Sequence, residues 1–337
     1  MLQVKNSTPF KALLVMLADR HGIDTLFTVI KGTFTLAERT SLASEQLPII
    51  GVDQYYGDQS TTSVRIPSDI SLEKIGTDVV VNGCAVAPHG VPTWEMDVSV
   101  SVGPVAKSIR VFGDRVWDTG AAGPSISWIK PFVRMPIIWE RAFGGADETD
   151  AGRSVDSRNP VGVGFRARGG RKSTAGVPLP NVEDPTALIS STRDAPNPAG
   201  LATVAPHWLP RRSFAGTYDA TWQQSRAPFL PRDFDPRFCQ IAPLGMTTPS
   251  YLQGGERVEL RGLTAEAMRL SVPAARVEAH YSLNGATEVR PANLDTIVLE
   301  PDQRRLIAVW RAVLPCDKKV LKIREVETIV AALDGVA

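Results

Sequence analysis

The chain has 337 residues, 43% of them hydrophobic and 22% charged, a composition that excludes global disorder and points to a folded core. Its 37 Lys and Arg against 36 Asp and Glu leave a formal charge of +1, so no net field draws in nucleic acid, an anionic membrane or a polyanionic substrate. Cys84, Cys239 and Cys316 form no CxxC pair, which excludes a disulfide framework or a zinc knuckle and fits a reducing compartment.

The only early apolar run, Leu13 to Leu17, ends at Asp19 and Arg20, so no signal peptide is indicated. No segment approaches the roughly 20 apolar residues of a membrane span. The expected location is the cytoplasm. In chain order, residues 12–18 and 26–36 read as strands, the second alternating Phe27, Val29 and Lys31 against Thr28, Ile30 and Gly32. Residues 63–66 give a short strand within a turn-rich segment.

The most regular stretch lies between residues 77 and 145. Trp94, Met96, Val98, Val100 and Val102 alternate with Glu95, Asp97, Ser99 and Ser101, the period-2 pattern of a strand with one wet face. Gly103-Pro104 breaks the pattern and residues 107–112 resume it, which predicts an antiparallel hairpin.

Beyond Gly145 the periodicity disappears. Between Pro160 and Pro236 there are 11 prolines, too many for a long helix or a central strand. The aromatic residues Phe165, Trp208, Phe214, Tyr218, Trp222, Phe229, Phe234 and Phe238 then predict irregular backbone pinned to the core, with only residues 151–174 mobile. A short helix is expected over 219–226, with Thr217 as its cap and Pro228 as its stop. Strand texture returns at 257–261. VEAHYSLNGATEV places Asn284-Gly285 between two alternating arms, a type I′ hairpin signal, and PDQRR joins IVLE to LIAVWRA in a further hairpin. In the last segment Val326, Ile329, Val330 and Leu333 have helical spacing whereas 320–326 reads as a strand, and both readings stay open.

No motif in the chain specifies an enzyme. In NPVGVGFRARGGRKST, residues 159–174, Gly164 and Gly169 have the spacing of a phosphate loop, but Gly170-Arg171 stands where Lys-Ser is needed, and no cofactor is expected. Arg166, Arg168, Arg171 and Lys172 follow the acidic Asp147, Glu148 and Asp150, which reads as a mixed surface. His21, His89, His207 and His280 lack metal-ligand spacing, so no metal is expected. His207 in PHWLPR reads as a hydrogen-bonded structural residue. Cys239 has no nameable base and no GxSxG elbow occurs. Glu183 and Asp184, Asp233 and Asp235, and Asp53 and Asp58 read as turn organisers. A hydrolase using carboxylates among Glu183, Asp184, Asp233 and Asp235 is the enzymatic alternative.

Arginines recur beside acids and aromatics, which predicts buried or half-buried Arg–carboxylate pairs that fix loops and whose loss unfolds the chain. The candidate residues are Arg65 and Asp69 in RIPSD, Asp114, Arg115 and Trp117 in RVFGDRVW with Arg110 beside them, and Glu140 and Arg141 in WERAFGG. His207, Trp208, Tyr218, Asp235 and Arg237 complete the set. All are structural candidates, and none is assigned to catalysis, a cofactor or a metal.

Taken in order, YYGD, RIPSD, GTDVVVNG, RVFGDRVW, MPIIWERAFGG, NPVGVGF, LPNVEDP, PHWLPR, AGTYDATW, LPRDFDPRF and QGGE closely resemble the bacterial domain of unknown function 2169 family, over residues 10–312. Proteins of that family look like accessory proteins of the type VI secretion system, encoded beside toxin effectors and beside spike-tip proteins with proline-alanine-alanine-arginine repeats. The resemblance implies a non-enzymatic adaptor or chaperone that holds a secreted effector or its spike-tip domain and helps load it on the spike, with the spike trimer as a further partner. No site residues carry over from it. A structural component of the secretion apparatus is the other alternative.

The expected architecture is mainly β: antiparallel sheets, sandwich-like or as two packed subdomains, with long Pro/Gly-rich irregular connections and few short helices. Residues 1–315 make up the family-type domain, either undivided or as subdomains 1–145 and 206–315 joined by the irregular segment 146–205. Residues 316–337 form a C-terminal tail, the part that resembles the family least.

Overall fold

Alternating apolar side chains build three larger sheets in a computed structural model that describes residues 2–120, 123–150, 152–167, 175–283 and 285–334. The protein is mainly β, with several antiparallel sheets and short helical turns. The central sheet runs in the order Lys11–Ala18, Asp24–Thr35, Arg305–Pro315, Asn293–Glu300, Asp78–Val81. Only its last pairing is parallel. Asp24–Thr35 and Arg305–Pro315 are buried along nearly their whole length, because both faces of the sheet are covered.

A second sheet holds the predicted hairpin, Glu95–Val102 paired with Val105–Phe112, flanked by Val182–Glu183 on one side and by Arg257–Arg261 and Met268–Ser271 on the other. Its dry face carries Val98, Val100, Val102, Ile109 and Val111, packed in one cluster with Ile30, Phe34, Val79, Leu299 and Trp310 of the central sheet. Phe10 stacks on Trp310 at 5.3 Å between ring centroids, with Phe34 edge-on at 6.3 Å. On the wet face Arg110 bridges Asp97 and Glu95 across the strand pair. Trp94 departs from the expected pattern: it precedes the strand and turns outward.

The third sheet orders Gln3–Asn6, Ile323–Asp334, Ala274–Leu283 and Ala286–Pro291. Ala279, Tyr281, Ile323 and Val326 pack on Leu26, Ala312 and Leu314 of the central sheet and on Cys316 just beyond it. There the Tyr281 hydroxyl and Thr28 Oγ1 share a buried hydrogen bond of 2.7 Å, and burial pushes the phenol up to about 12. The turn between Ala274–Leu283 and Ala286–Pro291 falls where Asn284-Gly285 placed it, with Gly285 at φ +83°; Asn284 lies outside the described residues.

Several expectations are corrected. Residues 1–145 and 206–315 do not divide into subdomains, because strands from both interleave in the central and hairpin sheets. Residues 323–334 are not a separate tail: they are an inner strand of the third sheet, paired on both edges. The helix Ala220–Ser225 is capped by Asp219, which accepts from Trp222 N at 2.8 Å, while Thr217 lies too far upstream and donates to Asp233. Of the aromatic anchors only Trp208 is buried; Phe165, Phe214, Trp222, Phe234 and Phe238 are half-buried, and Tyr218 and Phe229 are exposed. Within the stretch expected to be mobile, Asn159 Nδ2 donates to Trp139 O at 2.8 Å and Phe143 O at 3.0 Å; Ala151 and residues 168–174 lie outside the described residues.

Because Trp310 is almost fully enclosed by Phe10, Phe34 and the hairpin sheet, Trp310→Ala is expected to cost about 3–5 kcal/mol of folding free energy. The check is a lower urea midpoint at unchanged slope.

Candidate functional site

Strand alternation decides which side chains leave the main core. Val29, Val80, Val298, Ile307 and Val309 point to the face of the central sheet away from the hairpin sheet, where Leu47, Ile49, Ile241 and Ala242 of irregular segments pack on them. Register places Lys31 and Thr296 beside Val309, Thr33 and Val298 beside Ile307, and Thr35 and Glu300 beside Arg305. Charged side chains are thus carried into a covered layer, where each needs a partner.

Each has one. Lys31 Nζ meets Asp69 Oδ2 at 2.8 Å, Lys74 Nζ meets Asp78 Oδ2 and Thr296 Oγ1 at 2.7 Å each, and Arg311 Nε donates to Asp295 Oδ2 at 2.6 Å. Arg311 Nη2 reaches the Asp69 carbonyl at 2.9 Å. Asp78 also accepts from Gln240 Nε2, Ile241 N and Thr247 Oγ1, which fastens the 240–247 segment to the sheet. Between sheet and covering segments lies a cavity of about 280 Å³, floored by Val298, Ile307 and Val309 and walled by residues of 47–54 and 66–74. A second hollow of about 500 Å³, under Phe234 and Phe238, shares Ser68, Lys74 and Ile241 with it. Among the described residues no group of three or more His, Cys, Asp and Glu is placed to hold a metal ion.

The residues chosen from sequence fall into separate places, and Asp69 alone borders the cavity. Asp114, Arg115, Trp117 and Arg141 meet at one junction, where the hairpin sheet receives the Pro-rich segment. Arg115 is ion-paired with Glu183 in the interior, and its guanidinium lies 3.7 Å over the Phe112 ring. Burial raises the Glu183 carboxyl and lowers the Arg115 guanidinium, so desolvation outweighs their mutual attraction at this site. Arg141 Nη1 donates to Asn181 Oδ1 at 2.9 Å and to Asp114 Oδ1 at 3.3 Å, and Asn181 Nδ2 donates to Phe112 O at 3.1 Å. Trp117 packs with Phe143, Leu179 and Ile189. Two glycines are required here: a Cβ on Gly113 would stand 1.8 Å from Lys130 O, and one on Gly145, at φ +90°, would stand 2.1 Å from Gly162 O.

Glu140 accepts from Ser63 N at 2.7 Å and Ser63 Oγ at 2.8 Å, tying this junction to the segment at 63. Trp208 packs edge-on to Trp139 at 6.1 Å and donates its Nε1–H to His207 Nε2 at 2.9 Å. Tyr218, Asp235 and Arg237 sit on an outer lobe, residues 211–239, where Arg237 pairs with Asp235 at 2.6 Å and lies 4.2 Å over the Phe214 ring. Arg65 and Arg237 are exposed, and the Arg65 carbonyl accepts from Asn82 Nδ2 at 3.0 Å. The exposed Arg65 and Arg237 do not make buried pairs, whereas the half-buried Arg110 pairs with Asp97 and Glu95.

The carboxylates of the hydrolase alternative are each engaged locally: Glu183 by Arg115, Asp184 by Thr186, Asp233 by Thr217 and Asp235 by Arg237. In the glycine-rich run Gly164 belongs to the short strand Val163–Gly164, paired with Phe143–Gly144, and Arg166 meets Asp147 at 3.3 Å. Gly169, Gly170, Arg168, Arg171 and Lys172 lie outside the described residues. Sequence reading missed Lys31, Lys74, Asp78, Asp295 and Arg311. Their signal was present: a charge inside an otherwise apolar strand, as in FTVIKGTF and AVWRAVL, has to be paired internally.

A family model described as "Uncharacterized protein conserved in bacteria (DUF2169)" matches residues 21–311. No curated protein and no solved structure matches the chain. Among the described residues no helix is long and apolar enough to cross a membrane.

Glu183→Gln leaves Arg115 buried without its counter-ion, and a loss of about 3–5 kcal/mol is expected by denaturant titration. Replacing both partners with apolar residues of similar volume, Arg115→Met with Glu183→Leu, should recover most of that loss. Burial, with Arg212 and Arg211 nearby, holds His207 below the ordinary imidazole range. Folding therefore favours neutral His207: its contribution is complete above the unfolded-state pKa of about 6.5 and is lost as pH falls through and below that value. His207→Gln retains an acceptor for Trp208, and its unfolding midpoint should vary less than the wild type's between about pH 7 and 5.

Proposed function

The chain belongs to this bacterial family, and from that premise we propose that it is a non-enzymatic adaptor that holds a secreted protein for delivery. The observation that carries the proposal is a pair of tryptophans standing in solvent. Trp128 is 97% exposed and Trp94 60%, on loops that also expose Val91 and Val133. Tryptophan contributes to a fold by being buried, so a side chain left this open adds nothing to stability, whereas at an interface it is the residue most often found to dominate affinity.

Both loops are anchored. Gly113 N donates to Trp94 O at 2.9 Å, Lys130 N donates to Asp114 O at 3.0 Å, and Thr93 bridges Phe132. The buried Arg115–Glu183 junction lies beneath them, so the aromatic surface is held in place before a partner arrives and less ordering entropy opposes binding. Exposed edge strands, Met268–Ser271 and Ala286–Pro291, offer main-chain groups by which a partner strand can extend a sheet.

The partner in this reading is a type VI secretion effector or its spike-tip domain, met in the cytoplasm before loading on the spike trimer. The sequence words shared with a family whose members look like secretion accessories support that choice. The experiment is co-expression with the effector or spike-tip protein encoded beside the gene. The partner is expected to be soluble and to co-purify only when this chain is present. Trp128→Ala and Trp94→Ala are each expected to weaken the complex about tenfold or more, or about 1.4 kcal/mol, at an unfolding free energy within about 0.5 kcal/mol of wild type. A partner equally soluble and equally secreted without the chain, or captured unchanged by both variants, overturns the proposal.

A further inference from the structure

The cavity on the outer face of the central sheet plays no part in partner binding through the loops. Its floor is aliphatic and its ends are polar: Lys31, Asp69 and Arg311 at one, Asn82, Glu300 and Arg305 at the other. Arg311 and Arg305 lie on one strand six residues apart, about 20 Å at roughly 3.3 Å per residue. The cavity therefore runs along the strand, with Ile307 and Val309 between its ends.

The formal charges at the Arg311 end balance, since Lys31, Lys74 and Arg311 face Asp69, Asp78 and Asp295. The hydrogen-bonding capacity does not balance. An ammonium has three N–H groups, and Lys31 Nζ uses one of them, on Asp69 Oδ2. Arg311 is only 3% exposed and its Nη1 has no hydrogen-bond partner among the described residues. Buried donors are rarely left in this state, because nothing replaces the water they have lost. At the other end Asn82, 8% exposed, donates Nδ2 to Arg65 O, which fixes the amide orientation and leaves Oδ1 without a partner among the described residues. A ligand that satisfies this cavity brings an acceptor-rich group to Lys31 and Arg311, lays hydrocarbon on Val298, Ile307 and Val309, and, if long enough, offers a donor to Asn82.

We propose that the cavity binds an aliphatic carboxylate, with its carboxylate against Lys31 and Arg311. At about 280 Å³ the space suits a small ligand. Two sources have this chemistry, the C-terminal residue of a polypeptide and a free branched-chain acid. They differ in that a chain terminus also carries amide N–H groups.

The test is calorimetric titration of the full chain with three probes: acetyl-valyl-leucine, its C-terminal carboxamide and 4-methylpentanoate. The peptide acid is expected to bind at least tenfold more tightly than the carboxamide. If 4-methylpentanoate matches the peptide acid, the free acid is the source; if it binds more weakly, the chain terminus is. Arg311→Met should abolish the preference for the acid. Because that change also strips Asp295 of its cation, Val298→Phe serves as a second variant that fills the floor and breaks no ion pair, and it is expected to lose binding while remaining folded. Trp128→Ala should bind the acids as wild type does, so this inference and the partner-binding reading fail separately. Failure of both acids to bind, equal binding of peptide acid and carboxamide, or unchanged binding by Val298→Phe overturns it.

Discussion

Two neighbouring strands, Asp24–Thr35 and Arg305–Pro315, are covered on both faces, and the rest of the protein follows from that constraint. One face supplies the main core, where Trp310, Phe34 and Phe10 meet the valines of the hairpin sheet. The other is a thinner layer closed by irregular chain, and because Lys31 and Arg311 point into it, that chain has to deliver carboxylates. Asp69 arrives from the turn-rich segment ahead of Asp78–Val81 and Asp295 from the adjoining strand. The irregular segments are thus held by charge as well as by apolar contact.

The same logic operates at the hairpin sheet. RVFGDRVW, WERAFGG and LPNVEDP are far apart in sequence, yet Arg115, Arg141, Asn181 and Glu183 close one junction among them. Gly113 and Gly145 are there because backbone passes backbone too closely for any Cβ. An ion pair that desolvation makes weak in net energy still selects one geometry, since either charge left alone would be far worse. The loops that expose Trp94 and Trp128 spring from this fixed point, which separates the residues that hold the fold from those left in solvent.

Legibility of the fold tracked how simply each strand is covered. Glu95–Val102 has one wet face, and its alternation was visible. Ile323–Asp334 was ambiguous because the pairing slips between Arg276 and Val277, leaving Ala331 extra, so that Val330 and Leu333, three residues apart, both pack on the main core. That three-residue step imitates a helix. The outer lobe misled differently: its aromatic residues looked like anchors, but several pack on one another, as Tyr218 does on Trp222, instead of on the core. The cavity was hidden because strand pairing brings Lys31 beside Arg311 and an irregular segment delivers Asp69 to them, and no local spacing encodes either step.

The pairing of Asp24–Thr35 with Arg305–Pro315 also sets a clock. The second strand is synthesised some 270 residues after the first, which at ordinary elongation rates is roughly 15–55 s. Throughout that interval the hairpin formed by residues 11–35 has a long apolar edge and no neighbour, and contacts this distant in sequence form slowly even once both strands exist. A protein read here as a keeper of other chains is, during its own birth, a chain in need of keeping.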